Sequence, residues 1–149
     1  MSAYHYRESG LDNVYIDGVM PCVDDDGDTV VTIPNVKGLH KAIAEGIIAH
    51  KAGMSGKEMR FLRTEAGMTQ SELAQIVHHD AQSIGRWERG ECPIEPIADA
   101  LIRLLMVERL GLEKPAKTVA ELSSHCVPTA ATQPILIDGK DPSDYRIAA

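Results

Sequence analysis

Apolar and polar positions change their spacing along the chain, and the changes divide it into segments. From Tyr4 to Ile33 the pattern is that of short strands: Tyr-His-Tyr, turn formers at Ser9-Gly10 and Asp12-Asn13, then Val14-Tyr15-Ile16. Asp24-Asp25-Asp26-Gly27-Asp28 reads as a turn into Thr29-Val30-Val31-Thr32-Ile33, the strongest strand signal, because β-branched side chains suit a pleated surface. These segments predict a small antiparallel sheet with Tyr15 and strand 29–33 at its centre. Beyond Pro34 the period becomes helical, with Val36, Leu39, Ile43, Ile47 and Ile48 on one face, Asn35 as N-cap and a stop near Ala52-Gly53.

Three short helices and a longer one follow. Ser55-Gly56-Lys57-Glu58 has the spacing of a capping box, in which the serine oxygen accepts a backbone N–H three residues on and the glutamate reaches back. The helix it opens carries Met59, Phe61 and Leu62 and stops at Gly67. Thr69-Gln70-Ser71-Glu72 repeats the box and opens a helix with Leu73, Ala74, Ile76 and Val77. After His78-His79-Asp80 a third helix runs through Ile84 and Trp87 to Gly90. A final helix spans about Ile97 to Leu110 and closes on Gly111. Ala74 is small where two backbones must approach, and Ile84 and Trp87 are placed to pack. Ala81, Gln82, Ser83, Gly85 and Arg86 are thereby left on the outer surface, in the arrangement of a helix-turn-helix whose second helix enters a major groove.

Composition narrows the classes. The chain has 149 residues, 44% hydrophobic and 25% charged, which suits a soluble protein of one compact domain plus appended segments. No apolar run reaches the roughly 20 residues that cross a bilayer, and Met1 to Arg7 lacks the pattern of a secretory signal, so a cytoplasmic protein is expected without a membrane partner. The net charge of −7 opposes nucleic-acid binding, but its distribution removes most of the objection. Residues 1–34 carry one cation against seven anions, whereas residues 54–92 carry five cations against six. Cys22, Cys92 and Cys126 are too few and too scattered for a disulfide framework or a zinc site.

The run Met68-Thr69-Gln70-Ser71-Glu72-Leu73-Ala74-Gln75, with Gln82-Ser83-Ile84 and Arg86-Trp87-Glu88-Arg89-Gly90 downstream, resembles the Cro/C1-type (Xre) helix-turn-helix family over about residues 56–110. The resemblance implies a five-helix, lambda-repressor-like DNA-binding domain, and with the N-terminal β segment an α+β fold that is mainly α. It implies that Ala81, Gln82 and Arg86 face bases and that Gln70 touches a phosphate; Ser83 is expected beside the base readers, and Thr69, Ser71 and Arg89 beside the phosphates. It also implies a structural salt bridge between Arg63 and Glu88. His78 stands where the family has a turn glycine. The segment Tyr4 to Val14 looks like the start of regulators grouped with MqsA-type antitoxins, but this chain lacks their paired zinc-binding cysteines.

Other chemistry finds little support. The acidic run 24–28 is not an EF-hand loop, because Gly27 comes too early and Asn35 stands at the closing position, so a solvated turn is the better reading. His78 and His79 are adjacent and face apart, which suits a turn better than a metal site. No catalytic triad or phosphate-cradling loop stands out, so neither an enzyme nor a cofactor is expected. Four segments result: an acidic β segment at 1–34 for dimerisation or partner binding, a connecting helix at 35–53, the helix-turn-helix domain at 54–111, and a tail at 112–149. In the last helix Ile97, Leu101, Leu104 and Leu105 are expected to face the domain. Ile102, Met106 and Arg109 then form a dimer interface. The expected function is a homodimeric repressor on double-stranded DNA; the alternative is an antitoxin whose acidic N-terminal segment masks a basic toxin.

Overall fold

The computed structural model describes residues 4–18, 22–23, 25–30, 33–49, 51–112, 118–126 and 134–147. In chain order these form β1 (Tyr4–His5), β2 (Val14–Asp17), β3 (Cys22–Val23), β4 (Thr29–Val30), α1 (Val36–Ala49), α2 (Gly56–Glu65), α3 (Gln70–Val77), α4 (Ala81–Glu88), α5 (Pro96–Leu110), α6 (Val119–His125), β5 (Ile135–Asp138) and β6 (Arg146–Ile147). The fold is α+β and mainly α. Two compact units divide it: Met1–Ile43 with Pro134–Ala149, and Ala44–Gln133. Among the described residues no helix is long and apolar enough to cross a membrane.

The first unit is a four-stranded sheet of order β1-β2-β5-β6, with β3 and β4 paired apart as a hairpin. β1 lies antiparallel to β2, but β2 runs parallel to β5, Val14 facing Ile135 and Ile16 facing Ile137. The expected centre is therefore corrected: Tyr15 is central, whereas Thr29 and Val30 pair with Val23 and Cys22 outside this sheet. Residues 31–32 of that expected strand lie outside the described residues. The place beside β2 is taken by β5, from the segment expected only as a tail. Alternation gives the sheet one buried face, with Val14, Ile16, Ile135 and Ile137 all buried. Tyr145 donates its hydroxyl to the Pro34 carbonyl at 2.5 Å, and Asn35 Nδ2 donates to the Pro142 carbonyl at 2.9 Å. Asn35 Oδ1 also accepts from the Gly38 N–H, so one side chain caps α1 and fixes the 142 turn.

In the second unit the chain forms four helices between residues 56 and 110, α2 to α5, and adds α6 and residues 44–49 of α1. Both capping boxes are present, with Ser55 and Glu58 at the start of α2 and Thr69 and Glu72 at the start of α3. Ile47, Ile48, Met59, Leu62, Leu73, Ile84, Ile102 and Met106 are fully buried. Gly56 has no substitute here, because a β-carbon on it would overlap the Trp87 carbonyl oxygen and nothing in a backbone can swing aside.

The faces of α5 are reversed from the expectation. Ile102 and Met106 lie inside the unit at 0% exposure, so they are not a surface for a second copy; Arg109 is exposed. The outward apolar residues are Ile97, Leu101 and Leu104. The cause is a buried ion pair. Arg103 Nε donates to Asp99 Oδ1 at 2.7 Å, and the guanidinium also reaches the Ala52 carbonyl at 2.6 Å and the Ile48 carbonyl at 3.4 Å. Asp99 Oδ2 accepts the Met54 N–H at 2.9 Å. Asp99 and Arg103 must point inward to satisfy these groups, and they carry Ile102 and Met106 in with them. Nearby, burial and then the Asp99 charge push the Cys126 thiol up to about 11, which leaves it protonated and unreactive.

Candidate nucleic-acid interface

The turn between α3 and α4 is built on a left-handed residue. His78 takes φ 59° and ψ 42°, and its successor's N–H returns to the Ala74 carbonyl at 2.9 Å. His79 points back into the unit: its ring meets Trp87 edge-on with centroids 4.8 Å apart, and its Nε2 lies 3.0 Å from Glu95 Oε2. Asp80 then opens α4, accepting the Ser83 N–H at 2.7 Å. That bond, joined by one from the Ser83 hydroxyl, holds the Asp80 carboxyl below its ordinary range.

From this start α4 buries Ile84, Gly85 and Trp87 and turns the opposite edge outward. Gln82 and Arg86 are exposed, and Ala81 and Ser83 are half-buried. Gln70, Ala81, Gln82, Gly85, Arg86 and Arg89 line one open groove of about 450 Å³. Thr69 and Ser71 are exposed at the N-terminus of α3 and stand outside that lining.

Behind the groove lies a charged brace. Arg63 Nε donates to Glu88 Oε2 at 2.7 Å and its Nη2 to Oε1 at 3.0 Å, a bidentate pair, while Nη1 donates to the Met68 carbonyl at 2.8 Å. Gln70 Nε2 donates to the same Glu88 Oε1 at 3.2 Å. One carboxylate thus joins α2 to α4 and fixes the amide of Gln70. With its NH2 group engaged, Gln70 turns its oxygen toward the groove, 3.6 Å from where a β-carbon on Gly85 would sit. Arg89 lies across the same place, with Nη1 3.0 Å from that position, and Nη2 donates to Glu91 Oε2 at 3.1 Å.

The sequence alone does not point to Glu91, Glu95 or the Asp80 cap. Asp80 could have been found from its place before a helical run, since aspartate is a strong N-cap. Glu91 and Glu95 have no such local signal, because their partners are set by how α4 and the following loop fold back. In comparison with known proteins, residues 59–107 match a helix-turn-helix family model. No curated protein and no solved structure matches the chain.

Proposed function

We propose that the chain, whose residues 59–107 match a helix-turn-helix family model, is a Cro/C1-type (Xre) DNA-binding protein and acts as a homodimeric repressor reading an inverted repeat through the major groove. The supporting observation is that Gln82 and Arg86 stand exposed beside Gln70 and Arg89 around one groove, while the other face of α4 is buried. Gln82 has the donor and acceptor to pair with adenine, and Arg86 the fork to pair with guanine. Ala81 offers an apolar contact to a thymine methyl, and Ser83 a hydroxyl. The Thr69 and Ser71 hydroxyls and the Arg89 guanidinium meet the phosphate backbone, and Gln70, whose side-chain oxygen can only accept, meets it through its main-chain N–H in the first turn of α3.

The second copy belongs on Ile97, Leu101 and Leu104, spaced four and three apart on one exposed side of α5. Arg109, exposed in the last turn of that helix, is available to such an interface. Leu104→Lys is expected to yield a monomer in sedimentation. The operator is found by selecting bound duplexes from random DNA. On that operator, Gln82→Ala and Arg86→Ala should each weaken binding by about 1–3 kcal/mol at one base position and leave folding intact. Unchanged affinity in both, at one stated salt concentration, rejects these readers.

A second reading keeps an antitoxin role, in which DNA binding is autoregulatory. Its support is the −6 charge of residues 1–34, with Asp25, Asp26 and Asp28 exposed in the first unit. Deleting the segment would strip β5 of its parallel partner, so neutralising these three aspartates to asparagine is the cleaner test. Loss of a basic protein partner with operator binding retained supports this reading, and an unchanged set of partners rejects it.

A further inference from the structure

Arg89 lines the groove with Arg86, and it is not idle there. Its guanidinium lies over the bare α-carbon of Gly85, in the middle of α4, where any larger residue would have to push it away. Its other end is tied to Glu91 at 3.1 Å, with the two side chains 61% and 55% exposed. Arg86 also acts on Glu91 through its charge. A carboxylate is thus bound to one of the two arginines that line the groove, on a nitrogen that could otherwise donate to a phosphate oxygen.

We infer that Glu91 is an intramolecular rival of the DNA phosphate for Arg89, and that it holds down the affinity of the recognition helix for any duplex. The inference rests on the DNA-reading assignment above and deepens it. A carboxylate and a phosphate oxygen both accept from the same planar fork, so Arg89 must give up one to engage the other fully. The exposure of the pair decides the size of the effect: solvent screens the attraction, so the exchange is easy and its influence moderate. Such a rival lowers binding to operator and to other DNA alike, because phosphates carry no sequence. Discrimination is then left to Gln82 and Arg86, which contact base edges.

The test uses the full chain as wild type, Glu91→Gln, Arg89→Ala and the double variant. Each is titrated with the duplex recovered by the wild type from random DNA and with a duplex of mixed sequence, at several sodium chloride concentrations. Glu91→Gln is expected to tighten binding to both duplexes by about two- to fivefold at low salt. Its plot of log affinity against log salt should keep nearly the wild-type slope, because Arg89 meets a phosphate in both proteins and only the competition from Glu91 is removed. In the Arg89→Ala background the gain should vanish. Binding by Glu91→Gln equal to that of wild type overturns the inference, and so does a gain that persists in full without Arg89, since Glu91 would then act only as bulk charge. If wild type binds neither duplex, the DNA-reading assignment itself fails and this inference fails with it.

Discussion

His78 occupies a backbone conformation that glycine takes freely and that strains a residue with a β-carbon by roughly 1–2 kcal/mol. Replacing it with glycine relieves that strain but gives the unfolded chain more freedom to lose. His78→Gly is therefore expected to stabilise by about 0.5–1 kcal/mol, and His78→Val to destabilise by more than about 1 kcal/mol, read from urea unfolding midpoints. Asp80, two residues on, makes the start of α4 sensitive to acid. Hydrogen bonds from Ser83 depress its carboxyl below the ordinary value of 3.8, so the unfolded chain takes up the proton first. The cap's contribution is present above that ordinary value and is lost as pH falls through the depressed one. The Ser83 amide resonance, followed down through that range, should shift before the bulk of the helical signal changes.

The helices show which elements are legible in a sequence and which are not. The two capping boxes lie within four consecutive residues each, so both were readable, and α2 and α3 begin where these boxes place them. α5 was misread because two apolar strips compete on it and the pair Asp99 and Arg103 made the true inner face look polar. Nothing local reveals that these charges go inside, since their partners are carbonyls and an amide around Ile48, Ala52 and Met54. The pair is expected to behave as a buried ion pair does when one member is removed. Asp99→Ala should cost about 3–5 kcal/mol in chemical denaturation, because it leaves the Arg103 charge without its counter-ion. The groove was legible for a different reason: Gln82 and Arg86 had no packing partner to find, so the period of α4 alone placed them outside.

Across the whole molecule the least legible feature is the parallel pairing of β2 with β5. The two segments stand far apart in the chain, and periodicity carries no information about such partners. The pairing makes a specific demand on the end of the chain. Removing residues 134–149 takes away β5, β6 and the Tyr145 and Pro142 contacts with Pro34 and Asn35. Hydrogen exchange on that truncated chain is expected to show the amides of Val14 to Asp17 unprotected. Protection there equal to that of the full chain would count against β5 as the strand that completes this sheet.

The same closure sets an order on how the protein is made. A ribosome releases residues 44–133 before it releases Ile135, so the helices of the second unit are made while β2 still waits for its parallel neighbour. Early-made β2, with Val14 and Ile16 still uncovered, then has a sticky edge during translation until the much later β5 reaches it, and slow or interrupted synthesis would expose it longest.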